Sequence, residues 1–430
     1  MNKFKNFKII FINIAFVLCG AYIVESLLTI KPYVFTSNNR RNLNKKVSVL
    51  QRESSQAQTH PYSVKTFRGS GSIIQHFSKK GIEVVERFSP SAPYIIENDG
   101  IQIGDNKSFP FTAQGNKLTV FCAESGFWVF YNSDKYGFRN LNKNWDLNKP
   151  DVVFVGDSFT HGACVDNKDT FAGVAESNGL KPINLGIGGT GPLIQLAVYK
   201  EYISNNNINP KILAWVFFAE DIGDLLAENN SPTLNRYLND SSFTQNLAAR
   251  MEFKDNLFEE FYKKYKKYPE EMNYKKPISI RLINKLSDVI KLMNLRKYYS
   301  YIFNTESPEK HKNKKIDLIN KSIFRFKEEA KKTDSKLVFV YIPTWYEYDP
   351  SFVDQNKRNT RHENYLLRRD IFELLTKNNI EIIDTRKLIG LKGPKEARKY
   401  YNFSLYGHFT PNGYRKVGNY ISEEIRRIKL

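Results

Sequence analysis

A chain of 430 residues exceeds one typical domain, and 41% hydrophobic residues supply enough apolar surface for a sizeable core, which excludes wholesale disorder. Its 65 Lys and Arg against 45 Asp and Glu leave a formal charge of +20. That excess suits an anionic membrane or glycan surface, or a Lys-rich solvated exterior. No nucleic-acid module accompanies it, so nucleic acid is not an expected partner.

In chain order, Lys3, Lys5 and Lys8 precede a run from Ile9 to Ile30 that is apolar except for Asn13 and Glu25. The run is long enough to cross a bilayer as a helix, and the cations before it favour a cytoplasmic N-terminus with the remainder exported. Arg40, Arg41, Lys45 and Lys46 on its far side pull against that orientation. No pair of small residues closes the run as a cleavage site requires, and Leu18 before Cys19 is too large for lipoprotein processing. The expectation is an uncleaved transmembrane anchor over residues 1–35, with the rest in the periplasm or outside the cell.

Residues 36–60, rich in Asn, Ser, Arg and Gln, read as a linker. Over 61–148, the strand-like pieces Tyr94–Glu97, Leu118–Cys122 and Phe127–Tyr131 alternate with turn signals such as Asn98-Asp99-Gly100. They predict a small β-rich extension.

The pattern changes at Asp151. Five short apolar runs follow: Val152–Val155, Ile183–Leu185, Ile212–Phe218, Leu337–Ile342 and Ile380–Ile383. They are continuous rather than alternating, as in strands covered on both faces. Helical patterns separate or follow them at Phe171–Asn178, Leu193–Ile203, Ile316–Lys332, Leu366–Lys377 and Pro411–Ile428. That alternation predicts an α/β domain over 149–430 with a parallel sheet. A long insert, about 226–315, interrupts it; Asn256–Tyr268 and Ile280–Leu295 within it look helical. It reads either as a cap or solvated surface, or as a lid facing substrate.

Three stretches carry chemistry. The first buried strand runs into Gly156-Asp157-Ser158, which puts a serine hydroxyl at the carboxyl end of a parallel strand, where α/β ligands bind. The second strand runs into Gly186-Ile187-Gly188-Gly189-Thr190-Gly191. Glycines there let backbone N–H groups approach a reacting oxygen, or they merely turn the chain. No Lys-Ser/Thr follows and the spacing does not fit a dinucleotide fingerprint, which excludes both phosphate cradles. The third is His408, just before the last helix and on the same sheet edge as Ser158. Histidine is the usual general base for a serine near neutral pH. His161, close to Ser158 in sequence, reads first as a pocket wall, and Trp345 and Tyr346 either stack on a sugar ring or serve aromatic packing alone.

An early Ser158, a glycine-rich second loop and a late His408 together resemble the SGNH hydrolase family, which includes the GDSL esterases. The resemblance covers roughly Asp151 onward without the insert. It implies a flavodoxin-like three-layer α/β/α sandwich with a five-stranded parallel sheet, Ser158 as nucleophile, His408 as base and Gly189 as an oxyanion donor. It also implies no cofactor and an acyl ester, often an acetyl ester of an exported carbohydrate, as substrate. An O-acyltransferase or a glycan-binding protein on the same fold are the alternatives.

Two positions depart from the family. Glu220 in Phe218-Ala219-Glu220-Asp221 stands where an oxyanion-hole Asn is expected, and Leu405 and Tyr406 stand where an acid before the histidine would orient it. That leaves a dyad, a backbone carbonyl, or a carboxylate from elsewhere such as Asp384 or Glu220. Outside the apolar run only Cys122 and Cys164 remain, and in an exported chain they predict a disulfide, with two separate buried thiols as the rival. No Cys/His cluster has metal-ligand spacing, so no metal is expected.

Overall fold

The change of pattern at Asp151 marks a change of architecture. The computed structural model describes residues 20–23, 64–65, 70–124, 127–265, 308–348, 367–388, 394–397, 399–401 and 407–429. Before Asp151 the described strands are short: β1 (Val64–Lys65), β2 (Val85–Glu86), β3 (Ile101–Ile103), β4 (Asn106–Ser108), β5 (Leu118–Cys122) and β6 (Phe127–Asn132). They form a mixed four-stranded sheet ordered β1-β6-β5-β2 and a hairpin β3-β4. Helix α1 (Ser70–Ser78) packs on the four-stranded sheet through Ile73 and Phe77. The expected strand Tyr94–Glu97 is instead helix α2 (Pro93–Glu97). Pro93 sits at its first turn, where a missing N–H costs nothing, and Ile95 and Ile96 are buried on one side.

The five later runs all form strands: β7 (Val152–Gly156), β8 (Pro182–Asn184), β9 (Ile212–Phe218), β10 (Lys336–Ile342) and β11 (Glu381–Asp384). They make one parallel sheet ordered β8-β7-β9-β10-β11, the 2-1-3-4-5 order of flavodoxin-like folds. Successive side chains point to opposite faces. Val153, Val155, Leu213, Trp215, Phe217 and Phe339 enter one apolar core; Val152, Phe154, Ala214, Val216, Val338 and Val340 enter a second. Both faces are covered, which is why the runs do not alternate.

Helices after Asp151 include α3 (Ser158–His161), α4 (Phe171–Ser177), α5 (Pro192–Tyr202), α6 (Asp221–Glu228), α7 (Pro232–Asn239), α8 (Met251–Tyr265), α9 (Pro308–Lys332), α10 (Arg368–Lys377) and α11 (Pro411–Lys429). Helices α4 and α11 cover the second core, and α5, α7, α8, α9 and α10 contribute to the first. Trp215 stacks on Phe326 of α9 at 4.2 Å between ring centroids, and its indole N–H donates to Gln195 at 2.8 Å.

The described part of the insert is neither solvated surface nor free lid, because Leu234, Tyr237, Leu238, Leu247, Leu257 and Phe258 are buried in the main core. Polar bonds fasten it at depth. The Glu201 carboxylate, on α5, accepts from Tyr237 Oη at 2.5 Å, Thr244 Oγ1 at 2.7 Å, and the backbone N–H groups of Gln245 at 2.6 Å and Leu247 at 2.8 Å. Lys254 of α8, fully buried, donates to the carbonyl of Ala113 at 2.5 Å and to Thr112 Oγ1 at 3.2 Å in the N-terminal extension. The described residues within 54–266 and 314–430 form one compact unit.

The apolar run expected to span a membrane lies outside the described residues except for 20–23, which are helical, as does the predicted helix Ile280–Leu295. Among the described residues no helix is long and apolar enough to cross a membrane. The disulfide is present: Cys122 at the end of β5 is bonded to Cys164, with Cα atoms 5.0 Å apart. Closing a loop of sequence separation 42 removes denatured-state entropy worth about 4 kcal/mol in the chain-entropy account.

The Glu201 cluster yields a stability prediction. Glu201→Leu leaves four donors without their acceptor, and each buried orphan costs roughly 1–3 kcal/mol. Urea denaturation should show a loss of at least about 3 kcal/mol. A change below about 0.5 kcal/mol, the scale of ordinary surface substitutions, would refute the assigned role.

Candidate active site

Ser158 begins α3 directly after β7. Asp157 caps that helix, its Oδ1 accepting from the Phe159 N–H at 2.9 Å. The turn stands beside the β7–β9 seam, where strand order reverses and open α/β sheets leave a crevice. The strand after the seam, β9, delivers Ala219, Glu220 and α6.

His408 precedes α11 and reaches the same point. Its Nε2 lies 2.7 Å from Ser158 Oγ, and its ring centroid 5.0 Å from that of Phe159. The other ring nitrogen decides how His408 is held. Nδ1 lies 3.0 Å from Oε1 of Glu124, and Oε2 of Glu124 accepts the His408 backbone N–H at 2.9 Å. One carboxylate thus grips both the ring and the main chain of His408.

Glu124 corrects the sequence expectation. Asp384 is bonded instead to Arg386, and Leu405 and Tyr406 lie outside the described residues. Glu220 opens α6 as its N-cap residue, while its neighbour Asp221 accepts from the Phe218 N–H at 3.2 Å. The acid comes from the N-terminal extension, far upstream in the chain and attached to no motif. Its one sequence signal was proximity to Cys122.

The electrostatics arise from these contacts. Burial works against a charged His408, but the Glu124 carboxylate on Nδ1 and the nearby Asp157 outweigh it and hold the imidazole above its usual 6.5. Burial would raise Glu124; the His408 charge and two hydrogen bonds hold it below the usual carboxylate value. Ser158 Oγ is also 3.0 Å from Asp157 Oδ2. A hydroxyl has one proton to give. With His408 neutral it goes to Nε2, and with His408 protonated it turns to Asp157.

The glycine-rich loop is fitted against the same turn. Its Ile187 N–H donates to the Gly156 carbonyl at 3.0 Å, and its Gly188 N–H to His161 Nδ1 at 3.2 Å. A Cβ on Gly186 would collide with the backbone of Thr160 and His161, and Gly189 has φ +75°, a left-handed conformation that suits glycine. The extension closes the loop from outside: Arg87 donates to the Gly188 carbonyl at 3.0 Å, and Ser91 Oγ to that of Gly189.

His161 is therefore a positioning residue. Accepting at Nδ1 fixes its proton on Nε2, which lies 2.9 Å from Tyr131 Oη. Burial and two nearby arginines, Arg139 and Arg87, hold it well below its usual value, so the ring is neutral. Arg139, buried beneath it, donates to the carbonyls of Gly162 at 2.6 Å and Val165 at 2.7 Å; burial lowers its pKa to about 10. Trp345 and Tyr346 begin a 3-10 turn after β10.

On the α6 side carboxyls crowd together. Burial, Asp157 and Glu220 raise Asp224 to about 7, and burial with Asp157 and Asp224 pushes Asp221 well up. Glu228 caps α5, accepting from the N–H groups of Gly191 at 2.5 Å and Leu193 at 2.9 Å. Carboxyls held this high tend to keep their protons, so Asp221 and Asp224 crowd here without each carrying a full charge.

Serine, glycine loop and histidine thus meet on one edge of a 2-1-3-4-5 sheet. The chain resembles the SGNH/GDSL hydrolases. Solved structures similar to it include a candidate acylhydrolase from Bacteroides fragilis, at 16% identity and a TM-score of 0.34, covering 67% of this chain and 95% of that one. A GDSL-like lipase from Bacteroides thetaiotaomicron matches at 13% identity and 0.33, covering 67% and 91%. A carbohydrate acetylesterase family member from Sinorhizobium meliloti matches at 10% and 0.29, covering 64% and 97%. No protein-family model and no curated protein matches the chain.

The Glu124–His408 contact predicts a titration. Nitrogen NMR of the His408 ring should place its midpoint above 6.5 in the native protein. Glu124→Gln keeps the shape and removes the charge, so the midpoint should fall. An unchanged midpoint would show that Glu124 does not govern the ring.

Proposed function

We propose that the protein is a serine hydrolase of the SGNH type that cleaves acyl esters through an acyl-enzyme at Ser158. The observation that carries this reading is the 2.7 Å contact of His408 Nε2 with Ser158 Oγ, backed by Glu124 on Nδ1. That is the relation of nucleophile, base and orienting acid that activates a serine.

In this mechanism neutral His408 takes the Ser158 proton as Oγ attacks the ester carbonyl carbon. A tetrahedral intermediate forms, with negative charge on the former carbonyl oxygen. Glu124 stabilises the imidazolium without taking its proton, and His408 then protonates the leaving alcohol oxygen. Water, activated by the same ring, attacks the acyl-enzyme and releases the acid. Backbone N–H groups of Ser158 and Gly189 are the proposed oxyanion donors. A carbohydrate hydroxyl in place of that water makes the same site an O-acyltransferase.

The substrate class proposed, an acetyl or other acyl ester of an exported carbohydrate, comes from the family resemblance. Export by the N-terminal apolar run as a single-pass anchor is part of the same reading, and the Cys122–Cys164 bridge supports an oxidising compartment. Glu220 at the oxyanion position favours one second reading: a glycan-binding protein that kept the fold and lost turnover.

A fluorophosphonate probe separates the two. Native protein should be labelled at Ser158, and Ser158→Ala should lose both label and roughly 10⁴–10⁶-fold of ester turnover. Absence of label on native protein would favour the binding reading. The acid limb of kcat/KM should have its midpoint above 6.5, with activity rising as His408 loses its proton.

Glu220→Asn gives a signed outcome. Turnover should rise by about 10-fold or more if the carboxylate opposes the oxyanion, since one good donor is worth about 10²–10³ in kcat. A fall would assign Glu220 to substrate, and no change would place it outside the chemistry.

A further inference from the structure

The orienting acid belongs to the N-terminal extension and the base to the C-terminal part of the catalytic domain, so something must hold the two in register to a fraction of an ångström. The β5–β6 ladder cannot. Its register slips between Val120 and Cys122, and its last described pairing is Cys122 with Val129. Glu124 lies past that pairing. Such a bulge turns a strand end away from its partner and re-aims the side chains beyond it.

The backbone beyond Cys122 is fixed from the other side. Cys164 is fully buried, with φ +62°, in the loop after the Ser158 turn. That loop is clamped on both flanks of Cys164 by Arg139, through the carbonyls of Gly162 and Val165. The Glu124 backbone N–H reaches back to Cys164 Sγ at 3.1 Å. A continuous path thus runs from the clamped loop through Cys164 and Cys122 to the Glu124 carboxylate and the His408 ring. Upstream, Phe121 stacks on His161 at 4.1 Å between centroids, so the strand is seated on the core up to the bridge.

We propose that the Cys122–Cys164 disulfide is a positioning element of the active site, which sets Glu124 on His408 and makes the hydrolase active only when oxidised. This rests on the serine-hydrolase reading. Reduction transfers two electrons and two protons from a dithiol to the two sulfurs, giving two thiols and the dithiol's own disulfide. The core keeps its two apolar faces; Glu124 loses its tether. His408 then keeps Asp157, Arg87 and the neutral His161 as its charged or titratable neighbours.

The test uses the full chain, oxidised or reduced with dithiothreitol, with a chelator in every arm. The chelator is needed because donor atoms of Cys122, Glu124 and Cys164 lie within 4.8 Å of one another and would invite a metal once freed. Fluorophosphonate labelling of Ser158 is measured against pH, and the His408 ring is titrated by NMR. Reduction should slow labelling by roughly 10²–10⁴-fold, the scale on which loss of an orienting acid acts. It should also move the His408 midpoint downward, to where Glu124→Gln puts it in oxidised protein. Reduction of the Glu124→Gln chain should change neither reading further, and Cys122→Ser with Cys164→Ser should reproduce the reduced state.

An unchanged His408 midpoint on reduction overturns the proposal, as does a reduced chain that has lost its dispersed amide spectrum, which would make the bridge a general staple. An additional loss on reducing Glu124→Gln also overturns it. If Ser158 is never labelled yet the His408 midpoint still drops on reduction, the hydrolase reading fails and the tether stands.

Discussion

An imidazole beside a serine does little until its ring is fixed and its second nitrogen faces a negative charge. In this protein that constraint is met by one carboxylate, Glu124, which holds both the Nδ1 and the backbone N–H of His408. The parallel sheet and its loops supply serine, glycine loop and histidine, yet not this acid. The extension before Asp151 is consequently part of the site rather than an appendage, and much of the surrounding structure serves to fasten it.

The fastening combines apolar packing, with Ile95, Phe109, Phe111 and Phe138 in the main core, and polar bonds that fix direction. Arg139 and Arg87 reach from the extension into the loops after β7 and β8, Tyr131 pairs with His161, and Lys254 ties α8 to Thr112 and Ala113. Buried polar groups of this kind are costly when left alone and directional when paired. An apolar seam would tolerate sliding, whereas hydrogen bonds to named carbonyls fix register. The chemistry needs register, because the Ser158 and His408 atoms must meet at hydrogen-bond distance across it.

Legibility in the sequence tracks the range of the interactions. The five strands of the parallel sheet were readable because burial on both faces leaves continuous apolar runs. Helices such as α10 and α11 keep a 3.6-residue period, whereas α5 is buried on every side. Tyr94–Glu97 misled because a piece that short, built on Ile95 and Ile96, fits a strand or a buried helix turn equally, and Pro93 opens a helix. Ser158 and His408 were legible from their places after a strand and before a helix. Glu124 was not, since its role exists only across the chain and its neighbours carry no pattern. Asp384 and Glu220 were reasonable candidates by proximity to the sheet edge, but Asp384 is already bonded to Arg386. Within the insert, α8 was legible in part as a helix and not as core, because its Lys and Glu content hides the apolar stripe that Leu257 and Phe258 bury.

The bond from Glu124 to His408 spans a sequence separation of 284. Contacts that distant are among the slowest to form, since the chain between them must be organised before they gain anything. Phe159, beside Ser158, packs on His408, Phe409 and Tyr414, so the serine turn and the segment that carries the histidine complete each other's packing. A site of the proposed kind is therefore finished only once Glu124 and His408, so far apart in sequence, are both docked beside Ser158.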